Sequence, residues 1–435
     1  MIPANESAHN AHIGMEDCSL PENWNIVPLR RKCFLNTGAT PSRSRSDFWQ
    51  GDINWFSSKD LKSKLLSDSE EKITHLAVDT TGLRLHPAGT LVACFRSGIL
   101  RHTFPVAIGT EPFTVNQDLR AITLSQDCSS HFVLYYLMGM NNSILASCRK
   151  IGATVESIET KWFLDYPLVV PPLLDQQLIV DFLDEKTAEV DGLVEKLQRE
   201  VQLLERYRRE LIAHTVTRGL NPDVPMKDSG IDWIGKIPSH WSENSLKSII
   251  RRVSVKNKPK RRVLSVERVN GVVDRETEGS PDNHNRLPDD LSGYLAVDRG
   301  QFVMNKMKAW RGSYGVSKQD GIVSPAYYVF ELNHPNPDFF NWVIRSDAYV
   351  PFFGRDSYGI RTDQWDFKIS ALRTIPFFTP SMNEQHEIVA YLERETGILD
   401  STISNINKQI ELLGKYRKQV INDAVTGKVR VGEMA

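Results

Sequence analysis

Five cations fall within seven residues at Lys256, Lys258, Lys260, Arg261 and Arg262, interrupted by Asn257 and Pro259. Ammonium and guanidinium groups at that density suit a row of phosphates, whose bound counterions they displace. Arginines also make bidentate hydrogen bonds to base edges. Arg43 and Arg45 lie in a polar, serine-rich loop after Pro41, where Thr40 and Ser42 add hydroxyl donors. Arg96 and Arg101 bracket the turn-forming Ser97-Gly98. Lys306, Lys308 and Arg311 alternate with Met307 and Trp310, which predicts a basic face opposite an apolar one. Arg361 either reads a guanine edge or pairs with Asp363 or Asp366. Trp24, Trp55, Trp241 and Trp365 are expected in the core and not as stacking platforms.

Other chemistries lack their residues. Gly235-Lys236, Gly414-Lys415 and Gly427-Lys428 are followed by Ile, Tyr and Val, so no phosphate-cradling G-x-x-x-x-G-K-[ST] loop is present. Asn336-Pro337-Asp338-Phe339 resembles a catalytic N-P-P-[YF] turn, but Asp replaces the second proline and no glycine-rich loop precedes it, so a surface turn is expected there. The eleven histidines show no metal-ligand spacing. Cys18, Cys33, Cys94, Cys128 and Cys148 are odd in number and lack a C-x-x-C pair, which predicts reduced thiols in a cytoplasmic protein. No segment is apolar enough to span a membrane, and Met1–Leu20 has no apolar core of the kind a signal peptide needs. Lys plus Arg number 53 against 54 Asp plus Glu, so cations that meet a nucleic acid must be gathered locally.

The elements that hold these loops are repeated. Shifting the chain by 209 residues lays Pro167–Thr217 on Pro376–Thr426 without a gap, and fifteen of 51 pairs are identical, too many for chance similarity of two helices. A weaker echo pairs Leu20–Trp24 with Ile237–Trp241. Within each repeat, positions spaced three and four apart read Val180, Leu183, Thr187, Val190, Val194, Leu197, Val201, Leu204, Arg208, Leu211. The second copy reads Val389, Leu392, Thr396, Leu399, Ile403, Ile406, Ile410, Leu413, Arg417, Val420. A 3.5-residue apolar period kept for four heptads predicts a coiled-coil seam, and two equal seams in one chain are each other's simplest partners. A twofold relation between the halves makes the helices antiparallel, with a seam of about 48 Å.

This predicts an α+β fold: two globular α+β domains joined by two long helices in an antiparallel coiled coil with pseudo-twofold symmetry. The expected boundaries are an N-terminal extension 1–19, a first variable domain 20–165, a helical region 166–218, a connector 219–236, a second variable domain 237–375 and a second helical region 376–435. Strands are expected at 91–95, 263–266 and 327–330, and helices at 132–138 and 339–345.

Several motifs carry a family resemblance. Thr37-Gly38-Ala39-Thr40-Pro41-Ser42, Trp49–Trp55 and Lys59-Asp60-Leu61, with Gly89-Thr90-Leu91 through Arg96–Arg101 and Asn116–Leu119, resemble a target-recognition domain of type I restriction–modification specificity subunits. Asn305-Lys306-Met307, Gly321–Tyr327 and Ser357–Arg361 are similar to another subclass of that domain. The resemblance spans about residues 20–430. It implies a DNA-reading subunit without catalysis of its own, in which each variable domain reads half of a split double-stranded target. It implies as partners two methyltransferase subunits, which methylate adenine, and two motor-nuclease subunits. S-adenosylmethionine, ATP and Mg would sit on those partners and none on this chain. The residues expected at DNA are Thr40, Ser42, Arg43, Arg45, Lys59, Arg96, Arg101, Lys256, Lys258, Lys260, Lys306, Lys308, Arg311 and Arg361. A coiled-coil scaffold with two protein-binding heads is the competing reading.

Overall fold

The computed structural model describes residues 20–150, 155–275, 287–359 and 365–431. The extension 1–19 and Arg361 fall outside them. The chain divides into two compact units, Met1–Leu197 with Lys408–Ala435, and Gln198–Asn407. The division runs through both long helices, Leu173–Arg218 and Met382–Val425, so the helical regions are not bodies of their own.

In the first unit a five-stranded sheet runs in the spatial order Cys33–Thr37, Leu119–Leu124, Leu91–Cys94, Val106–Gly109, Leu65–Leu66. Its central strand Leu91–Cys94 is buried at every residue, as an unbroken apolar run requires. The helix Ser130–Gly139 is capped by the Ser129 hydroxyl, and Phe132–Leu137 are all buried, so it is a core helix and not an amphipathic one. A three-stranded sheet of Lys72–Ile73, Trp49–Phe56 and Phe113–Val115 receives the loop that holds Arg43 and Arg45, whereas Arg96 and Arg101 follow Leu91–Cys94 of the larger sheet.

The second unit has a four-stranded sheet ordered Ile250–Val253, Tyr327–Leu332, Phe302–Asn305, Tyr314–Val316, beside the hairpin Leu264–Glu267/Gly271–Asp274. Asn336-Pro337-Asp338-Phe339 is not a surface turn. Asn336 is buried, and its Oδ1 accepts the Phe339 amide at 2.9 Å, capping the helix Pro337–Arg345. Proline at the first helical position, with asparagine before it, is a helix start.

The repeat is explained by one frame built twice. In the first unit, Asn25–Pro28 pairs antiparallel with Pro167–Val170. In the second, Ser242–Ser245 pairs with Pro376–Thr379. The opening of each repeat is therefore strand and not helix; Pro171 and Pro380 then end the ladder. A tryptophan from the echo segment pins each helix start: Trp24 Nε1 donates to Asp175 at 2.9 Å, and Trp241 Nε1 to Glu384 at 3.0 Å. A buried glutamine completes the joint. Gln176 Nε2 donates to the Pro171 and Asp127 carbonyls while its Oε1 accepts the Ser129 amide; Gln385 Nε2 donates to the Pro380 carbonyl.

The seam forms in both units. Val190, Val194, Leu197, Val201 and Leu204 of the first helix, and Leu399, Ile403, Ile406, Ile410 and Leu413 of the second, are all buried or half-buried between exposed neighbours. In the first unit Arg417 bonds Asp191, and Arg430 and Val431 lie by Asp175, Leu178 and Ile179, so the two helix portions run antiparallel. In the second, Arg208 bonds Asp400 while Ile212 and Val216 share a cluster with Ile388 and Leu392, again antiparallel.

Candidate nucleic-acid interface

The loop carrying Thr40–Arg45 is held by backbone approaching backbone. A Cβ on Gly38 would sit 1.6 Å from the Val115 carbonyl oxygen, and one on Gly51 would sit 2.2 Å from that of Ile73, so neither position admits a side chain. Trp55, buried, donates from Nε1 to the Ala39 carbonyl at 3.0 Å, fixing the loop from beneath. Thr40 Oγ1 donates to Gln117 at 2.6 Å, and Ser42 shares a hydrogen bond with Ser44.

Three of the four candidate arginines of this unit, Arg43, Arg45 and Arg101, are already paired with carboxylates. Arg43 lies 3.9 Å from the Trp49 ring and makes a two-bond fork to Glu71, the second bond 2.8 Å long. That hydrogen-bonded pair holds the Glu71 carboxyl below its usual range. Arg45 forks to Asp47 at 2.8 and 2.5 Å and lies over Phe48. Arg101 donates to Glu156 at 3.2 Å from a 3-10 turn, Gly98–Arg101, that Ser97 caps. Lys59 and Arg96 are exposed and have no carboxylate within ion-pair distance among the described residues.

In the second unit the five-cation cluster separates into two kinds. Arg261 donates to the Val297 carbonyl and to Asp298 at 2.7 Å, and Arg262 pairs with Asp274 at 3.1 Å, so these two tie the loop to its neighbours. Lys256, Lys258 and Lys260 are exposed and have no ion-pair partner among the described residues. Lys306–Arg311 forms a 3-10 helix in which Ala309 is buried and Met307 is 41% exposed, so the apolar side is not the one Met307 was expected to make. Lys308 and Arg311, three apart, stand on one face of it.

Sequence reasoning missed the residues that complete this surface. Arg252 and Lys306 each lie 4.8 Å from the centre of the Tyr328 ring. Arg311 lies 4.3 Å over Trp310, whose ring is 5.2 Å from Trp365. Lys368 lies 5.2 Å over Tyr358, which is 57% exposed. Trp365, expected in the core, is half-exposed, whereas Trp55 and Trp241 are buried and Trp24 is partly buried. Burial, then the Asp366 carboxylate, pushes the Tyr328 phenol upward, so the ring stays neutral. Alternating cations and rings on one basic chain face are a nucleic-acid signature that separated sequence positions conceal.

Among the described residues no group of acidic, histidine or cysteine side chains is placed to hold a metal ion, and no helix is long and apolar enough to cross a membrane.

Residues 21–203 match the family model for the type I restriction modification DNA specificity domain. The chain is 33% identical over 141 residues to the EcoR124I/EcoR124II specificity subunit of Escherichia coli, covering 32% of this chain and 35% of that one. It is 34% identical over 121 residues to the MjaIX specificity subunit of Methanocaldococcus jannaschii, 27% of each chain. These matches thus span about a third or less of the curated relatives' length. In fold it is similar to a chain of a solved type I R-M system, described under "complex assembly and conformational transition", with TM-score 0.68 and 12% identity over 95% of this chain and 100% of that chain. It is also similar to the HsdS subunit of Thermoanaerobacter tengcongensis, with TM-score 0.53 and 12% identity over 95% and 99% of the two chains.

Proposed function

We infer that this chain, which belongs to the type I restriction–modification specificity-subunit family, selects the DNA sequence on which partner subunits act. Each unit reads one half of a split duplex target, and the length of the two long helices sets the number of base pairs between the halves. The observation that carries this reading is one strand–helix frame built twice around unlike surfaces. The frame repeats the Trp24–Asp175 bond as Trp241–Glu384, whereas the loops it presents share neither sequence nor charge arrangement. Equal frames with unequal faces suit two different half-sites.

The chain itself does no bond chemistry in this reading. Adenine methylation falls to two methyltransferase subunits and ATP-dependent restriction to two motor-nuclease subunits. S-adenosylmethionine, ATP and Mg are bound there, in the cytoplasm. A doubled partner needs a doubled seat. Outside the seam, Leu203 and Tyr207 stand four apart, 57% and 54% exposed, and their repeat equivalents Leu412 and Tyr416 are 61% and 51% exposed. An aliphatic–aromatic pair kept identical and in water in both copies suits one partner surface bound twice.

The test is selection from a random duplex pool by the purified chain with its methyltransferase partner. Enrichment of one split motif is expected. Recovery of unselected DNA would instead favour the scaffold with two protein-binding heads.

A further inference from the structure

We propose that the second unit carries the phosphate track of the subunit, made of Arg252, Lys306, Lys308, Arg311 and Lys368, and that this unit supplies most of the salt-dependent affinity for DNA. The proposal rests on the DNA-reading function above and goes beyond it by assigning unequal roles to the two units.

Arg251 and Arg252 are neighbours on one strand, so their side chains leave opposite faces of the sheet. Arg251 is neutralised by Glu331. Arg252 is not; it lies against the Tyr328 ring, as Lys306 does. The Lys306 ammonium donates to the Pro325 carbonyl, a neutral acceptor, at 2.9 Å. Arg311 and Lys368 are held over Trp310 and Tyr358. Asp366 stands in register with Tyr358 and its charge reaches Tyr328, yet among the described residues none of the five cations makes an ion pair. An aromatic face attracts a cation through its quadrupole and leaves the charge uncancelled. A carboxylate would hold the same group and erase its charge.

Keeping like charges together without counter-charge costs Coulomb energy, which a polyanion recovers. Phosphates brought to these groups displace only loosely condensed counterions. In the first unit Lys59 and Arg96 are likewise unpaired among the described residues, but its other candidate arginines are held the other way. Arg43, Arg45 and Arg101 face Glu71, Asp47 and Glu156, so a phosphate arriving there must displace a carboxylate for little net gain. Those arginines are set to orient loops and read base edges, and the ring-held cations to hold the backbone.

Two triple variants of the chain, each in complex with its methyltransferase partner, separate these roles. Binding to target and random duplexes would be measured by fluorescence anisotropy over a series of salt concentrations. For Arg252→Ala/Lys306→Ala/Lys368→Ala, the slope of log K against log[salt] should shrink by about 2.7, that is 0.9 for each lost contact. The preference for target over random DNA should stay as it was. For Arg43→Ala/Arg45→Ala/Arg101→Ala, the slope should change by less than about 1. Tyr328→Leu keeps every charge but loses the ring, and should weaken binding about two- to five-fold, with Tyr328→Phe restoring it. An unchanged slope in the first variant overturns the track, as does an equal loss in the second. Loss of the methyltransferase partner by the first variant would overturn it too, by making the patch a protein interface. Failure of the unsubstituted complex to prefer its target counts instead against the DNA-reading function, and the slopes still decide the track.

Discussion

Arg417 and Asp191 stand 226 residues apart in sequence and are joined by two hydrogen bonds, Nε to Oδ1 at 2.8 Å and Nη2 to Oδ2 at 3.0 Å. Arg208 and Asp400 make the corresponding ion pair in the second unit, with Nε 2.9 Å from Oδ1 and one hydrogen bond, Nη2 to Oδ2 at 3.3 Å. The arginines occupy one of the two seam steps in each helix where apolar residues are missing, and the aspartates flank the seam at Val190 and Leu399. A fork that fits only one alignment specifies register more than it stabilises. Arg417→Ala should therefore cost about 0.5–1 kcal/mol, and a double-mutant cycle with Asp191→Ala should return a coupling of about 0.2–1 kcal/mol. Urea melts of the four proteins measure it; a coupling of zero would make the pair ornamental.

The helix joints differ in how many bonds their glutamines make, and so should their substitutions. Gln176 is fully buried and serves three backbone groups at 2.7, 2.8 and 2.9 Å, whereas Gln385 serves one at 2.9 Å. Gln176→Ala leaves buried backbone groups without partners and should cost roughly 2–4 kcal/mol, against about 1 kcal/mol for Gln385→Ala. Equal losses in denaturant melts would contradict the bond inventory.

Much of this architecture was legible, because periodicity is a property of neighbouring residues. The seam from Val180 to Leu211 follows from spacing alone, and every one of its positions is buried or half-buried. The echo at Trp24 and Trp241 had no reading in sequence; its reason is a bond to a carboxylate at the helix start some 150 residues on. The candidate surface was less legible for the same reason. Arg43 looks free until Glu71 is brought back to it by the sheet, while Arg252 and Lys368 are isolated in sequence and meet their rings only in the fold. Arg45 was the exception, since Asp47 is two residues away and the pairing was open to inspection.

A buried histidine sets a pH dependence. His86 is 2% exposed and packs against Phe113; burial, and then the charge of Arg84, lowers its pKa from 6.5 to about 4. The unfolded chain binds this proton below pH 6.5 and the native chain only near pH 4. Stability is therefore complete above pH 6.5 and falls as the pH drops from 6.5 towards 4, by up to about 3 kcal/mol. His86→Leu should flatten that part of the stability–pH curve. A variant curve parallel to the wild type would assign the acid lability to other groups.

The central claim is that each unit reads its own half of the target on a shared frame. Its most direct test is methylation mapping in cells that carry the partner subunits and a chain whose residues 20–165 are exchanged for another variable domain of the family. The frame bonds made by Trp24 and Asn25–Pro28 should be retained in the graft, so that the joints at Asp175 and Pro167–Val170 still close. The account predicts a new first half-site, the old second half-site and the old spacing between them. A methylated motif in which both halves change, or neither does, would contradict it.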